Sequence, residues 1–161
     1  MKSGRINIAR IMKYVILLLI VAFVALLLLY ASGSSRPFDE VEESVSSSLD
    51  KSNLTLQDGA AFKRAFGLSG ADYEGVMYYS SEFSISAEEV LLIKVNDESQ
   101  VQEVREAIEE RVEARKNDFD GYAPEEVKLL EDAVQSVRGT YIFFVAAPKA
   151  EEYLEVFSNS L

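Results

Sequence analysis

The chain has 161 residues, with 16 Lys and Arg, 27 Asp and Glu, and a formal net charge of -11. It contains no Cys and no His, which excludes disulfides, zinc fingers, iron–sulfur ligation and every nucleophile–base pair that uses those residues. An acidic chain lacks the cationic surface that sequence-independent nucleic-acid binding needs. We therefore expect no nucleic-acid partner, and the length suits one domain.

One apolar run separates a basic N-terminal segment from the acidic remainder of the chain. The first four charged residues are all basic and lie within residues 1–13, and no acid precedes Asp39. Residues 15–29 (VILLLIVAFVALLLL) carry no polar side chain, and Tyr14 and Tyr30 flank them as aromatic rings do at a membrane interface. With these flanks a helix would be roughly 25 Å long at 1.5 Å per residue, close to a hydrocarbon core of about 30 Å. The run predicts a transmembrane signal-anchor helix.

The basic flank predicts a single-pass topology, with the N-terminus cytoplasmic and the C-terminal domain outside the cell membrane. A cleaved signal peptide is the alternative, because small residues before a cut after Gly33 suit a signal peptidase. The absence of Cys excludes a lipid anchor. The predicted divisions are a cytoplasmic basic segment at 1–13, the transmembrane helix at 14–31, a linker at 32–37 and an extracytoplasmic domain at 38–161.

The exported segment alternates helical and strand-like patterns. Val41 and Val45 repeat at helical spacing, Asp58 and Gly67 suit the cap positions of a second helix, and Pro124 suits the first turn of another. The predicted helices cover 38–50 and 57–66, begin near 98 and at 124, and end with 149–158. The predicted strands are 73–80, 89–95, 133–137 and 140–147.

These patterns predict an α+β domain with an antiparallel sheet of about four strands and helices packed mainly on one face. Residues 141–145 (YIFFV) are the most hydrophobic exported run, and we expect them to form the central strand, buried on both faces. The long helix after residue 98 has an apolar stripe along one side, formed by Val101, Val104, Ile108 and Val112. This stripe is too short for a coiled-coil dimer and predicts a core-facing surface.

Several segments, taken in order, resemble the bacterial family called domain of unknown function 4358. They are Phe66-Gly67-Leu68, then 72–76, 86–94, 107–111, 119–125 and 139–141. The resemblance spans about Phe38 to Phe157. It implies an exported domain with a membrane anchor or a lipoprotein signal, as in members from anaerobic Gram-positive bacteria, and it implies no activity. This chain departs from the lipoprotein members because it lacks the Cys.

A candidate calcium loop at 116–121 (KNDFDG) does not fit. With Gly121 at loop position 6, Lys116 and Val127 take the first and last positions, where acidic ligands are required. A turn that ends a helix explains these residues better. We expect no metal and no cofactor.

Three residues are candidates for recognition or for a structural lock: Arg111, Tyr122 and Glu88. Arg111 lies beside the apolar stripe of the long helix, and a partly buried Arg paired with Glu88 or Glu89 would lock the fold or form part of an anion pocket. Tyr122 precedes a helix start, where it would anchor in the core or contact a partner. No catalytic residue is predicted.

The sequence therefore predicts a non-enzymatic, membrane-anchored module that binds another component of the cell envelope, with the membrane itself engaged through 14–31. A small-ligand sensor with a pocket between sheet and helices is the alternative. A hydrolase that uses carboxylates, or a structural role in envelope assembly, stays open behind these two. The oligomeric state is also open.

Overall fold

The computed structural model describes residues 8–31 and 36–161, with side chains described for 11–26 within the first range. The chain divides into two compact units, Met1–Gly33 and Ser34–Leu161. The predictions for residues 1–7 and 32–35, which include the cleavage after Gly33 and most of the linker, lie outside the described residues.

The first unit contains one helix, α1 (Ile8–Ala31). Its large apolar side chains between Ile11 and Leu26 are each exposed by 46 to 68%. Within the part of the chain that the structure describes, no helix meets the combined length and apolar content needed to cross a membrane. The transmembrane segment at 14–31 stays a prediction.

The second unit is built on a five-stranded sheet in which every neighbouring pair is antiparallel. The order across the sheet is β1-β2-β3-β5-β4. The strands are β1 (Thr55–Leu56), β2 (Gly75–Ser80), β3 (Glu89–Lys94), β4 (Val134–Arg138) and β5 (Tyr141–Ala146). The helices are α2 (Phe38–Ser48), α3 (Gly59–Phe66), α4 (Val101–Phe119), α5 (Pro124–Glu131) and α6 (Ala150–Ser160), with 3-10 turns at Gly70–Asp72 and Glu98–Gln100.

Two strands have every residue buried. They are β3, the middle strand of the sheet, and β5 beside it. Their sequences, EVLLIK and YIFFVA, are near-continuous apolar runs, as expected of strands covered on both sides. The burial predicted for residues 141–145 is therefore confirmed, although the middle position belongs to β3.

Helices cover both faces of the sheet. On the first face, α3, α4 and α5 bury a cluster that includes Phe62, Ile108 and Leu130 against alternate residues of the strands. On the second face, α2 and α6 bury a cluster that includes Val45 and Phe157 against the other set of residues. The second unit therefore has three layers, helices on a sheet on helices, with two separate cores.

The prediction of about four strands with helices mainly on one face is wrong in both respects. The strand missing from the prediction is β1. It is only two residues long, too short to leave an alternating pattern in the sequence. An amphipathic stripe shows that a helix packs against something but does not show against which face. The α+β class is confirmed, and the fully apolar β3 and β5 are the feature that required cover on both sides.

Local signals placed the helix ends well. Asp58 caps α3 by accepting a hydrogen bond from the Ala61 amide at 2.7 Å, and Gly67 takes the left-handed conformation (φ 72°) after its last turn. Pro124 begins α5 as predicted.

Replacing Gly75 by Ala is expected to destabilise the fold by about 1–3 kcal/mol. A Cβ at Gly75 would collide with the ring of Phe38, the first residue of α2, where the helix meets the sheet. Chemical denaturation of the two proteins measures the difference. The matched control is Gly59→Ala at the start of α3, where a Cβ meets nothing within 4 Å. That change is expected to stabilise by about 0.4–1 kcal/mol, so equal effects of the two changes would contradict the packing.

Candidate functional site

A buried carboxylate is the centre of the candidate site. Glu89 opens β3 on the first face of the sheet and is only 2% exposed. Its Oε2 accepts a hydrogen bond from the Tyr78 hydroxyl at 3.0 Å and two from Arg111, through Nε and Nη2, both at 3.3 Å. A strand on one side and α4 on the other therefore fix the same oxygen.

The other carboxylate oxygen has no partner. Glu89 Oε1 is buried, and no described residue donates a hydrogen bond to it. Buried polar atoms are nearly always hydrogen-bonded, because leaving one unpaired costs on the order of 1–3 kcal/mol. The described side chains therefore do not satisfy this oxygen, and a water molecule or another group is needed to do so.

Arg115 lies one turn further along α4, on the same side of the helix as Arg111. Its Nη2 donates to the Ser86 carbonyl at 2.9 Å, its Nη1 lies 3.6 Å from Asp118 Oδ2, and the guanidinium stands 4.5 Å from the centre of the Phe119 ring. Its Nε is buried and donates to no described residue. The site thus holds one unpaired acceptor and one unpaired donor.

Residues Glu89 and Arg115 both contribute to the lining of a cavity of about 210 Å³ between α4 and the loop that joins β2 to β3. We call it the Glu89 cavity. Its charged lining consists of three carboxylates and two guanidinium groups: Glu82, Glu88, Glu89, Arg111 and Arg115. A second cavity of about 210 Å³, lined by Arg64 and Tyr78, shares Ser80 and Arg111 with it.

Of the two predicted partners of Arg111, Glu88 and Glu89, the structure pairs it with Glu89. Glu88 instead accepts a hydrogen bond from the Asn53 amide at 2.5 Å. Burial raises the pKa of Glu88, the Asn53 hydrogen bond opposes that rise, and the nearby Glu126 adds to it. Both glutamates line the Glu89 cavity, but only Glu89 forms the ion pair.

Tyr122 does not anchor in the core, and that expectation is wrong. It is 63% exposed, and its ring lies 5.9 Å from that of Phe119, which fills the core in its place. Tyr122 also lines a surface cavity of about 460 Å³ together with Ile85 and the start of α5. Its predicted alternative, contact with a partner, stays a prediction.

Sequence reasoning missed Arg115 and chose Glu88 as readily as Glu89. The spacing of four residues between Arg111 and Arg115 was the available signal, because it places both on one helix face. Strand alternation was the other signal, since Glu89 has the parity of Leu91 and Ile93 on the first face.

Burial holds three tyrosines in their protonated form. It raises the pKa of Tyr78 to about 12, the Glu89 carboxylate adds to the rise, and Arg111 opposes it. Burial, with nearby carboxylates, also raises the pKa of Tyr73 and of Tyr141 to about 12. The Tyr78 hydroxyl therefore stays a donor to Glu89 throughout the neutral range.

We expect stability to fall as the pH rises above about 10, the ordinary tyrosine pKa. Between that pH and about 12 the folded protein keeps protons on Tyr73, Tyr78 and Tyr141 that the unfolded chain releases. Unfolding then releases protons, so stability is full below pH 10 and decreases above it. Denaturant midpoints measured across this range test the prediction. Tyr141→Phe is expected to reduce the slope, and a slope that Tyr141→Phe leaves unchanged would contradict it.

The arrangement can bind a polar group, since serine, glutamate and arginine side chains line one cavity. No group of three metal-ligating side chains lies together among residues that the structure describes. The fold and site define an α+β domain with a buried ion pair beside a small polar cavity.

The chain belongs to the family described as Domain of unknown function (DUF4358), whose sequence model matches residues 47–147. The match begins at the end of α2 and stops after β5, so it is narrower at both ends than the expected Phe38 to Phe157. Glu89, Arg111 and Arg115 all lie within it. Neither the curated proteins nor the solved structures give a match to the chain.

Proposed function

We propose that this protein is a membrane-anchored, extracytoplasmic binding module that takes a small polar ligand into the Glu89 cavity without transforming it. This proposal combines two predictions from the sequence: the membrane anchor, and the alternative function of a sensor that binds a small ligand in a pocket. The observation that carries it is a cavity lined by both partners of a buried ion pair, Glu89 and Arg111, and by Arg115.

The energetic argument concerns the Glu89 oxygen that the described side chains do not satisfy. Arg111 and Tyr78 both contact Oε2 and leave Oε1 free, although a guanidinium can bind both oxygens of a carboxylate in parallel. A donor that reaches Oε1 would remove a desolvation cost of the folded protein, and it requires the side chains around this buried oxygen to move. The ion pair holds the carboxylate in place before the ligand arrives.

The membrane anchor rests on the sequence and on the exposure of α1. Residues 15–29 carry no polar side chain, basic residues precede them, and apolar side chains from Ile11 to Leu26 are about half or more exposed. Protease treatment of intact spheroplasts tests the topology. We expect digestion of residues 38–161, and protection of this domain until the cells are lysed would contradict the outward orientation.

Ligand binding is tested on the full-length protein in detergent by thermal unfolding with three classes of probe. The probes are uncharged sugars (glucose, galactose and N-acetylglucosamine), the zwitterion glycine and the diamine putrescine. At least one class is expected to raise the Tm in a saturable way, and the rise is expected to be lost in Arg115→Met. No rise with any of the probes would reject the proposal.

A protein partner is the second candidate, because three large apolar side chains are exposed on the β2–β3 loop and at the α4–α5 corner. They are Phe83, Ile85 and Tyr122, exposed by 61, 72 and 63%. Exposed apolar groups that lie together mark contact surfaces. Cross-linking in membranes followed by affinity capture is expected to recover one partner with the natural chain and to lose it with Ile85→Asp. Leu56→Asp, at a comparably exposed residue of β1, is the control.

A further inference from the structure

We propose that two copies of this chain pair through their β4 strands, antiparallel and about a two-fold axis at Ser136. This pairing joins the two five-stranded sheets into one continuous sheet. It is independent of what the Glu89 cavity binds, because β4 lies at one edge of the sheet and does not line that cavity.

The pairing of β5 determines which main-chain groups of β4 point outwards. The Val95 amide donates to the Thr140 carbonyl at 2.9 Å, so the main-chain groups of Tyr141, one residue on, point away from β3 and towards β4. Arg138 is the partner of Tyr141 and turns its own N–H and C=O groups towards β5. This direction alternates along a strand, so every second residue of β4 turns its main-chain groups outwards.

The outward-facing residues of β4 are Gln135 and Val137. Each carries one N–H and one C=O group on the outer side, and no group within residues 36–161 forms a hydrogen bond with them. An outer strand with such a row of main-chain groups is a template for the addition of another strand. The four groups therefore define a surface that a strand can occupy.

The strand β4 lacks the features that commonly block strand addition, which are Pro, Lys, a bulge or a very short length. Its sequence, VQSVR, contains no Pro and no Lys, and its register with β5 runs one residue for one residue without a bulge. The strand at the opposite edge, β1, has only two residues. The two edges of the sheet therefore differ, and β4 is the edge open to a partner strand.

A second copy uses all four outward groups in a single antiparallel register. Gln135 of each copy lies opposite Val137 of the other, and these two pairs form four main-chain hydrogen bonds. Ser136 lies opposite itself, as the non-hydrogen-bonded pair between them. The centre of β4 is therefore the centre of the proposed interface.

Charge complementarity favours a second copy over a strand from another protein. In this register Arg138 lies opposite Val134 of the second copy, and α5 of that copy ends at Glu131, three residues earlier. Arg138 and Glu131 are both exposed, and neither has an oppositely charged group within 4.0 Å among residues 36–161. Long side chains reach such diagonal neighbours across a strand pair. The two-fold axis provides this contact twice.

Disulfide cross-linking tests the register, because the chain has no Cys of its own. In the full-length protein in detergent, Ser136→Cys is expected to form an intermolecular disulfide under mild oxidation. Residues of a non-hydrogen-bonded pair have Cα atoms about 4.5 Å apart, within the range of about 4.4–6.8 Å for disulfides. Thr55→Cys, on the β1 edge, is the control and is expected to stay monomeric. Equal yields at the two positions, or no dimer at position 136, would overturn the pairing.

Exchange of charges tests whether the occupant is a second copy. Arg138→Glu is expected to raise the dissociation constant of the dimer about tenfold, because two attractive contacts become repulsive. Adding Glu131→Arg to the same protein restores opposite charges and is expected to recover the dimer. Sedimentation of the full-length proteins in detergent measures both constants. A protein that is monomeric at all concentrations, or a loss that the second exchange does not recover, would overturn the second copy as the occupant.

Gln135→Pro tests the strand edge itself. Proline has no N–H group, and at this position the missing group is one that points away from β5, so the ladder within the sheet is kept. The variant is expected to be folded by circular dichroism and to lose the dimer. A folded Gln135→Pro protein that dimerises as well as the natural chain would overturn pairing at β4.

Discussion

Replacing Arg111 by Met is expected to lower the free energy of unfolding by about 3–5 kcal/mol, the usual loss when one partner of a buried ion pair is removed. Glu89 is only 2% exposed, and its Oε2 receives two of its three hydrogen bonds from Arg111. With Met at position 111, the carboxylate would keep only the Tyr78 hydroxyl. Urea denaturation at neutral pH, followed by circular dichroism, measures the loss.

The double variant Glu89→Gln/Arg111→Met distinguishes the effect of breaking the ion pair from the effect of losing the packing of the Arg111 side chain. It removes both charges and is expected to recover much of the stability, because no charge is left buried without a partner. Arg105→Met on the same helix is the matched control, since its partner Glu109 is 4.0 Å away and both side chains are about half or more exposed. That change is expected to cost under about 1 kcal/mol. Equal losses at positions 105 and 111 would contradict the buried pair.

Replacing Phe157 by Ala is expected to cost about 3–5 kcal/mol, as for other buried aromatic side chains. Phe157 lies on α6, is 0% exposed and stacks on Phe143 of β5 with ring centres 4.8 Å apart and planes at 14°. It also makes an edge contact with Tyr141 at 6.5 Å. These rings form the middle of the second core, so the loss leaves a cavity there.

The same substitution tests whether the second face of the sheet is covered. Glu155→Ala on the exposed side of α6 is the control and is expected to change stability by less than about 0.5 kcal/mol. Thermal unfolding of the three proteins gives the comparison. A loss below about 1 kcal/mol for Phe157→Ala would mean that α6 does not pack on β5 and that the sheet has one covered face.

The sequence was informative where the physical cause is local. Helix caps such as Asp58 and Gly67 act within one turn, so their residue types alone predict the ends of α3. The ranges of β4 and β5 and the burial of β5 also followed from short runs. Each of these predictions needed fewer than about ten consecutive residues.

Assignments that depend on distant contacts were less successful. The second covered face requires α2 and α6, which lie about a hundred residues apart in the chain and contact each other in the fold. The sequence did contain one pointer, because EVLLIK in β3 has no polar alternation and therefore needs cover on both sides.

The site was predicted in part for the same reason. Arg111 and the start of β3 were identified because a cation beside an apolar stripe and a carboxylate at a strand end suggest pairing. The choice of Glu89 over Glu88 depended on which face α4 covers, and the unpaired Oε1 depends on the full set of neighbours. Tyr122 was misjudged because Phe119, three residues earlier, reaches the core first.

The shortness of β1 has a consequence for how copies of this protein meet one another. Thr55 and Leu56 pair with Ser80 and Tyr79, and the Gln57 amide donates to the Tyr78 carbonyl at 2.8 Å. This covers the Tyr78–Ser80 end of β2 with a strand too short to recruit another. A long, free β2 edge would offer a template for strand addition between molecules. Two residues of β1 therefore hinder strand addition at this edge of the sheet, while the five-residue β4 forms the opposite edge.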